Sequence, residues 1–269
     1  MTDRITSTFG AFTPAREIVA GHDLTGKTAI VTGANTGLGQ AIAEALATAG
    51  ADIVAVGRTP PVDTRFAVEA LGRRFHDISA DLSTMEPIGR IVAETVQHFG
   101  GIDILVNNAG IIRRNDAVDF TEDDWDTVMD VNLKTTFFLT QAVGRRMIEQ
   151  GRGGKIVNIA SMLSYQGGIR VPSYAASKSG LAGITKALAN EWAGKGINVN
   201  AIAPGYFSTN NTTALRADED RSRDILARIP AGRWGTPADI GGAAVFLSSS
   251  AADYVHGTLL AVDGGWLGR

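Results

Sequence analysis

Short apolar runs alternate with longer amphipathic segments along most of the chain. Seven of these runs are apolar on both faces, which is typical of strands that helices cover on both sides of a sheet. They occupy residues 28–32, 51–56, 75–80, 102–108, 154–161, 197–203 and 258–263. Helical periodicity fills the segments between them, at residues 38–49, 63–73, 84–99, 121–150, 173–194, 211–228 and 236–248.

This alternation predicts an α/β fold of the Rossmann type. Because crossovers between parallel strands are right-handed, we expect a doubly wound sheet of seven parallel strands with helices on both faces. We assign residues 25–269 to a single domain. Residues 1–24 mix polar residues, glycine and proline with isolated apolar side chains, and we interpret them as an N-terminal arm. Ligands of such a sheet bind beyond the carboxyl ends of its strands.

The composition excludes several classes of partner and of catalytic group. The 25 Lys and Arg residues against 28 Asp and Glu residues leave a formal charge of −3, so neither nucleic acid nor a membrane is an expected partner. The chain has no cysteine, which excludes disulfides, thiolate metal sites and a cysteine nucleophile. Its four scattered histidines offer no i, i+4 pair, so we expect no metal site. Because no signal-like start and no stretch of roughly 18 apolar residues is present, we expect a cytoplasmic protein.

A glycine-rich turn follows the first predicted strand. Gly33, Gly37 and Gly39 stand at G-x-x-x-G-x-G spacing immediately before a predicted helix. Glycine permits positive φ and lets backbone N–H groups approach a pyrophosphate at the positive end of a helix. The turn therefore predicts a nucleotide site, and the alternative is a tight turn without a ligand. Further contacts to the nucleotide are expected from Asn35, Thr36 and Leu38.

The ends of the next strands carry further candidates for cofactor binding. An acid after the second strand would bind the ribose 2′-hydroxyl of NAD, but the residues there are Gly57 and Arg58. Arg58 favours NADP because it could pair with a 2′-phosphate, unless it is an ordinary solvated side chain. Asp81, with Leu82 beside it, could accept a hydrogen bond from an adenine amino group or cap the next helix. After the fourth strand, the small and amide side chains of Asn108, Ala109 and Gly110 would let the cofactor lie close to the backbone. The alternative is a plain β-turn.

Three polar side chains after the fifth strand predict proton-transfer chemistry. Ser161 closes that strand, and Tyr174 and Lys178 follow at i, i+4 on one face of the next helix. A free tyrosine has a pKa of about 10, and we expect the neighbouring ammonium to lower the pKa of Tyr174 and make it a usable acid/base. Ser161 could then orient a substrate oxygen, and Asn132 could hold a water. The alternative is a solvated helix face with a snorkelling lysine.

Together these residues resemble the short-chain dehydrogenase/reductase family from about residue 27 to residue 266. The resemblance rests on the strings TGANTGLG, NNAG and YAASK together with Asn132, Ser161 and the Pro204-Gly205 turn followed by Thr209. It implies a dinucleotide-binding catalytic domain that assembles as a homotetramer. It also implies that the segment after Pro204 and Gly205 closes over nicotinamide and that Thr209 contacts the cofactor.

The resemblance further implies a role for each residue of the reacting end. Tyr174 transfers the proton, and Lys178 is its electrostatic partner and a ribose ligand. Ser161 orients the carbonyl group, and Asn132 anchors a water.

Longer strings narrow the resemblance to one subfamily. NNAGIIRRND, IVNIASMLSYQGGIRVPSYAASKSG, INVNAIAPGY and RIPAGRWG are similar to the bacterial 2-dehydro-3-deoxy-D-gluconate 5-dehydrogenases, also known as 2-deoxy-D-gluconate 3-dehydrogenases. The resemblance implies hydride transfer between nicotinamide and a ring-opened sugar acid. It implies NAD as the cofactor, although members of the subfamily often lack an acid after the second strand too. NADP is the alternative that Arg58 favours.

A carboxylated substrate requires cationic partners near Tyr174. Arg170 is our first candidate and Arg113 or Arg114 the second, because a guanidinium can bind a carboxylate with two parallel hydrogen bonds. Their alternative is ion pairing at the surface or between subunits. Three further residues could bind substrate hydroxyls or satisfy loop backbone: Gln166, Tyr206 and Asn210.

The sequence thus predicts an NAD(P)-dependent oxidoreductase of a sugar acid with Tyr174 as general acid/base. One alternative keeps the chemistry and changes the substrate to gluconate, a 3-oxoacyl thioester, a steroid or another alcohol or ketone. The other alternative is a catalytically silent nucleotide-sensing protein, against which the intact set of Ser161, Tyr174 and Lys178 argues.

Overall fold

A computed structural model describes residues 22–269. Its strands form one parallel sheet in the order β3-β2-β1-β4-β5-β6-β7, which confirms the predicted Rossmann-type architecture. The strands are β1 Thr28–Thr32, β2 Asp52–Gly57, β3 Phe75–Ser79, β4 Ile104–Asn107, β5 Gly154–Ile159, β6 Ile197–Pro204 and β7 Leu259–Val262. The strand order reverses between β1 and β4, which is where doubly wound sheets bind ligands.

Helices cover both faces of this sheet. They are α1 Gly37–Thr48, α2 Val62–Ala70, α3 Ile88–Phe99, α4 Glu122–Met129, α5 Thr136–Gln150, α6 Pro172–Trp192, α7 Thr213–Ala217, α8 Glu219–Arg228 and α9 Gly241–Ser248. Successive residues of β1 point to opposite faces and separate two cores. Val31 packs among side chains of α1 and α9, whereas Ile30 packs among side chains of α3, α5 and α6. The continuous apolar strands of the sequence therefore reflect burial on both faces.

Two predicted helices are interrupted. The segment 121–150, predicted as one helix, consists of α4, a π-helical turn at Asp130–Thr135, and α5. The segment 211–228 is divided at Asp218, whose carboxylate caps α8 by accepting a hydrogen bond from the Arg221 N–H at 3.0 Å. Hydrophobic periodicity reports the buried face of a helix, and a single wide turn leaves that face almost unchanged.

The first described residues join the core at Leu24. The predicted N-terminal arm lies outside the described residues up to position 21. Leu24 belongs to the core, and its N–H donates to the Ala49 carbonyl at 2.8 Å. Within residues 22–269, no helix is both long and apolar enough to span a membrane.

A chain of buried polar side chains joins β4 and β5 beneath the site. The Asn107 amide donates to Asn158 Oδ1 and to Thr140 Oγ1, both at 2.8 Å, and the Asn158 amide donates to Thr185 Oγ1 at 2.9 Å. All four side chains are buried. Because a buried amide is costly unless it is paired, these bonds fix the relative position of the two strand ends and of α5 and α6 above them.

We expect Asn158→Ala to lower the free energy of unfolding by about 2 to 3 kcal/mol, because it removes one of the two acceptors of the buried Asn107 amide and the donor to the buried Thr185 Oγ1. Urea unfolding measures the change. Gln141→Ala, on the exposed side of α5, is the matched control and should stay within about 0.5 kcal/mol of the parent. A loss in Asn158→Ala no larger than that of the control would contradict the prediction.

Candidate active site

A cleft of about 530 Å³ opens at the carboxyl ends of the strands. Every residue predicted to contact the cofactor lines it, from Gly33 after β1 to Thr209 after β6. Ser161, Tyr174 and Lys178 line the same cleft. The residues predicted for the phosphate end therefore border one continuous space with Ser161, Tyr174 and Lys178 of the reacting end, whereas Asn132 is not part of its lining.

The glycine turn leaves the N-terminus of α1 accessible to an anion. Gly33 and Gly37 have φ angles of 65° and 60°, which L side chains rarely adopt. A Cβ on Gly39 would overlap the Gly33 carbonyl oxygen and the Asn108 amide. Thr36, the N-cap residue of α1, forms no capping hydrogen bond through its side chain, and no acid occupies the first helical turn. The first N–H groups of α1 therefore suit a pyrophosphate.

Asn108 has a second task besides lining the cleft. Its side-chain amide donates to the Thr32 and Gly33 carbonyl oxygens at 2.9 and 3.2 Å. The backbone N–H groups of Asn108 and Ala109 both donate to Thr32 Oγ1 at 2.9 Å. The turn after β4 thus holds the glycine turn in place, which a pattern of small residues in the sequence does not reveal.

Arg58 and Asp81 face the adenosine end of the cleft. The Asp81 carboxylate accepts the Ser83 N–H at 2.9 Å, and this bond, followed by the charge of Arg58, lowers the pKa of Asp81. The alternative that Asp81 caps the next helix is wrong, because α3 begins later, at Ile88. Asp81 closes the turn after β3 instead and stays ionised beside Arg58 at neutral pH.

At the reacting end, Lys178 is the most constrained group. Its side chain is 4% exposed, and its ammonium donates to the Ile159 carbonyl oxygen at 2.6 Å. The nitrogen lies 5.7 Å from the centroid of the Tyr174 ring. Burial lowers the pKa of Lys178 to about 8, so the ammonium remains mainly protonated at neutral pH.

The expected lowering of the Tyr174 pKa is wrong in direction. Burial raises the pKa of Tyr174 above its ordinary value, and a hydrogen bond with Ser161 and the charge of Arg114 offset part of that rise. Lys178 directs its ammonium to the Ile159 carbonyl, and Arg114 is the cation that lowers the pKa of Tyr174. In the free protein, Tyr174 is therefore a neutral phenol at neutral pH and can donate a proton.

Asn132 lies in the π-helical turn, behind the cleft wall. Its Oδ1 accepts the Ile111 N–H at 2.9 Å, and its amide donates to the Ile111 carbonyl at 2.9 Å and to Ser177 Oγ at 3.2 Å. These bonds tie the loop after β4 to α6, one residue before Lys178. The side chain of Asn132 thus acts on the backbone of that loop.

The three candidate arginines differ in their surroundings. Arg113 lines the cleft, and its Nε contacts the Asp124 carboxylate at 3.1 Å. Arg170, our first candidate, is outside the cleft lining, and its Nε pairs with Asp116 at 3.0 Å. Arg170 also has a φ of 62°, in the left-handed region that non-glycine residues rarely adopt. Arg114 is also outside the lining, but its charge reaches the Tyr174 hydroxyl.

Of the residues predicted to bind substrate hydroxyls, Asn210 lines the cleft and two do not. Gln166 Oε1 accepts the indole N–H of Trp266 at 3.2 Å. The Tyr206 ring packs edge-on against Trp266 and Trp234, with centroids 4.8 and 5.4 Å apart. Both side chains contact Trp266 near the C-terminus and are outside the cleft lining, and their role as substrate contacts stays a prediction.

Comparison with known proteins places the chain in a family. The family described as enoyl-(acyl carrier protein) reductase matches residues 33–267. The 2-dehydro-3-deoxy-D-gluconate 5-dehydrogenase of Dickeya dadantii is 61% identical over 247 residues, which cover 92% of this chain and 98% of that protein. The chain belongs to the short-chain dehydrogenase/reductase family.

Solved structures agree with this membership. A protein from Agrobacterium tumefaciens with bound NADP is 60% identical, with a TM-score of 0.86 over 93% of this chain and 99% of that chain. The gluconate 5-dehydrogenase of Burkholderia cenocepacia, in complex with NADP and tartrate, is 39% identical, with a TM-score of 0.88 over 94% of this chain and 99% of that chain.

The cleft of this short-chain dehydrogenase/reductase also has walls that the sequence did not indicate. Thr127 and Val131 reach it from α4 and the π-helical turn, which the sequence presented as one continuous helix. Phe207 reaches it from the segment after β6, beside the predicted Pro-Gly turn. The sequence signal for Phe207 was an aromatic residue two positions after the Pro204-Gly205 turn. Among the described residues, no group of three or more histidines and acids could hold a metal ion.

The low pKa of Lys178 predicts a pH dependence of stability. The folded state binds fewer protons than the unfolded state between pH 8 and pH 10.5, so stability rises with pH in that window. From pH 7 to pH 9.5, the free energy of unfolding of the parent should gain about 2 kcal/mol relative to Lys178→Met. Urea unfolding at both pH values measures it.

Lys186→Met, exposed on the same helix, controls for replacing a lysine by methionine. If the free energy of unfolding changes equally with pH in Lys178→Met and in the parent, the pKa of Lys178 is not lowered by burial and the prediction is contradicted.

Proposed function

We propose that this protein is an NAD(P)-dependent oxidoreductase of a sugar acid, with 2-dehydro-3-deoxy-D-gluconate or 2-deoxy-D-gluconate as substrate. One observation carries the proposal: Tyr174, hydrogen-bonded to Ser161 and beside Lys178, borders the same cleft as the open N-terminus of α1. A proton donor thereby faces a site that fits a dinucleotide. The sugar-acid assignment is supported by the name of the relative at 61% identity.

In this proposal, the chain supplies proton transfer and orientation. Hydride transfer is the chemistry that a nicotinamide supplies when it is bound. In reduction, Tyr174 gives the proton of its hydroxyl to the carbonyl oxygen of the substrate, while Ser161 holds that oxygen by a hydrogen bond. In oxidation, the Tyr174 phenolate takes the proton of the substrate hydroxyl. Lys178 adds positive charge next to the developing phenolate, and Asn132 keeps the loop after β4 against α6.

For the substrate carboxylate, we propose Arg114 as the leading cation. Its charge acts on the Tyr174 hydroxyl, so a carboxylate bound by it would lie near the reacting carbon. Arg113 and Arg170 each have a carboxylate partner in the chain, at 3.1 and 3.0 Å. Both residues are secondary candidates because neither is among the charges that act on the Tyr174 hydroxyl.

For the cofactor, we propose NADP alongside NAD. Arg58 lines the cleft and could pair with the 2′-phosphate of NADP, and β2 ends in Gly57 without an acid that would repel that phosphate. Two related structures were solved with NADP, which supports the same choice. We further propose a homotetramer of dinucleotide-binding catalytic domains in the cytoplasm, with residues 1–24 as an arm, on the strength of the family resemblance.

Substrate turnover tests the function. We expect reduction or oxidation of the ketodeoxygluconate pair with NAD(H) or NADP(H), measured as absorbance of the reduced nicotinamide. Tyr174→Phe should lower kcat by about 10²- to 10⁴-fold because it removes the proton donor. Its cofactor affinity, measured by nucleotide fluorescence, should be unchanged.

A parent protein that binds the cofactor without turning over any member of a panel of sugar acids, 3-oxoacyl thioesters and steroids would favour the nucleotide-sensing alternative.

Arg114→Ala tests the sugar-acid assignment. We expect kcat/KM for the carboxylated substrate to fall by about 10- to 100-fold, since a charge-assisted hydrogen bond of 1.5 to 3 kcal/mol is lost. Loss of the arginine should also shift the pKa that governs proton transfer upward, because its charge lowers the pKa of Tyr174. Turnover of a neutral carbonyl compound is the matched reference, and an equal fall with both substrates would contradict carboxylate binding by Arg114.

A further inference from the structure

The C-terminal turn of the chain lies between two parts of the active site. Trp266 begins the 3₁₀ turn Trp266–Gly268 and is 4% exposed. The Arg228 guanidinium, at the end of α8, lies 4.0 Å from the centroid of its ring, and the Tyr206 ring packs on it edge-on. One side of the indole is therefore occupied by the segment that follows β6.

On its other side, the indole contacts the turn that follows Ser161. The indole N–H of Trp266 donates to Gln166 Oε1 at 3.2 Å, and the amide nitrogen of Gln166 lies 3.8 Å from Met162 Sδ. Met162 is buried and directly follows Ser161. Gln166 is thereby fixed between the C-terminal turn and the residue next to the hydroxyl that faces Tyr174.

The turn after Ser161 is also attached to regular elements of the fold. The Ser164 hydroxyl donates to the Lys178 carbonyl in α6 at 2.7 Å, and the Tyr165 hydroxyl donates to the Leu259 carbonyl in β7 at 2.5 Å. Within the turn, Ser161 Oγ accepts the Leu163 N–H at 3.1 Å. The contact with Trp266 differs from these attachments because it leads on to Arg228 and Tyr206.

The segment after β6 is itself a wall of the cleft. Phe207, Thr209 and Thr212 line the cleft, and α8 ends with Arg228 on the indole. The C-terminal turn is held against this segment a second time, since the Arg269 guanidinium donates to the Ala227 carbonyl at 3.4 Å. Any movement of this wall toward the cleft must therefore move, or slide over, the ring that holds Gln166.

We propose that Trp266 is a positioning residue of the reaction, which couples the turn carrying Ser161 to the wall after β6. Trp266 touches neither reacting group. It holds Gln166 through its N–H and the segment after β6 through its ring. Ser161 is therefore positioned to orient the substrate oxygen when that segment packs against the indole. This inference rests on the proposed function, because it takes Ser161 as the residue that orients the substrate oxygen.

Trp266→Phe separates the two contacts, since phenylalanine keeps a ring for Tyr206 and Arg228 and removes the N–H that Gln166 accepts. We expect kcat/KM for the sugar acid to fall about two- to ten-fold, the effect of losing one neutral hydrogen bond. Cofactor affinity, measured by nucleotide fluorescence, should stay within two-fold. Gln166→Leu removes the acceptor of the same bond, and adding it to Trp266→Phe should cause no further loss.

A cycle with Ser161→Ala distinguishes positioning from a general structural effect. If Trp266 acts through Ser161, Trp266→Phe should change kcat/KM less than two-fold in the Ser161→Ala background. An equal fall in both backgrounds would overturn the proposal. Trp125→Phe, partly exposed on α4, is the matched control and should leave turnover unchanged.

Hydrogen–deuterium exchange gives a readout that does not need turnover. Trp266→Phe should speed exchange of the amides of residues 161–166 and leave β1 unchanged. Arg228→Gln should instead speed exchange in residues 206–229. Unchanged exchange in residues 161–166 would overturn the coupling even if the parent proves active on the sugar acid. If Trp266→Phe speeds exchange in residues 161–166 but the parent turns over no sugar acid, only the proposed function is contradicted.

Discussion

The burial of one ammonium group constrains the reacting end more than any other interaction. A charged amine loses its hydration when it is buried, and hydrogen bonds within the protein must replace part of the lost hydration free energy. For Lys178, the replacement is a hydrogen bond to the Ile159 carbonyl oxygen at 2.6 Å. The last residue of β5 must therefore face the second turn of α6. A Cβ on Gly110 would lie 3.7 Å from the same ammonium and 3.2 Å from Asn132 Oδ1. The end of β4 must therefore approach closely as well.

Much of the architecture follows from this requirement together with the sheet. Ser161 is two residues beyond the carbonyl that accepts from Lys178, and Tyr174 is one helical turn before the lysine. Asn132, in the π-helical turn, bonds both to the loop after β4 and to Ser177 beside the lysine. The buried amides of Asn107 and Asn158 lock the two strand ends below. Each of these bonds limits where the ammonium can lie.

The strands and the cofactor cleft were predictable from sequence because both depend on local patterns. Apolar runs mark strands buried on both faces, and each motif directly follows a strand end, where a parallel sheet collects its ligands. The π-helical turn was not predictable, because it changes hydrogen bonding without changing which side chains are buried. The surroundings of Arg170 and Gln166 depend on Asp116 and Trp266, which are distant in sequence, and no local pattern pairs them.

The direction of the pKa shift of Tyr174 shows why charge cannot be assigned from spacing alone. The i, i+4 spacing correctly brings Lys178 near the ring, but the ammonium points to a backbone carbonyl, and burial has the larger effect on the phenol. The opposing cation is Arg114, from a different strand end. Closing the cleft would remove more water from Tyr174 and raise its pKa further, unless cations close with it. In the proposed reaction, the charge that acts on the phenol therefore comes from Arg114 in the loop after β4 as well as from Lys178 on α6.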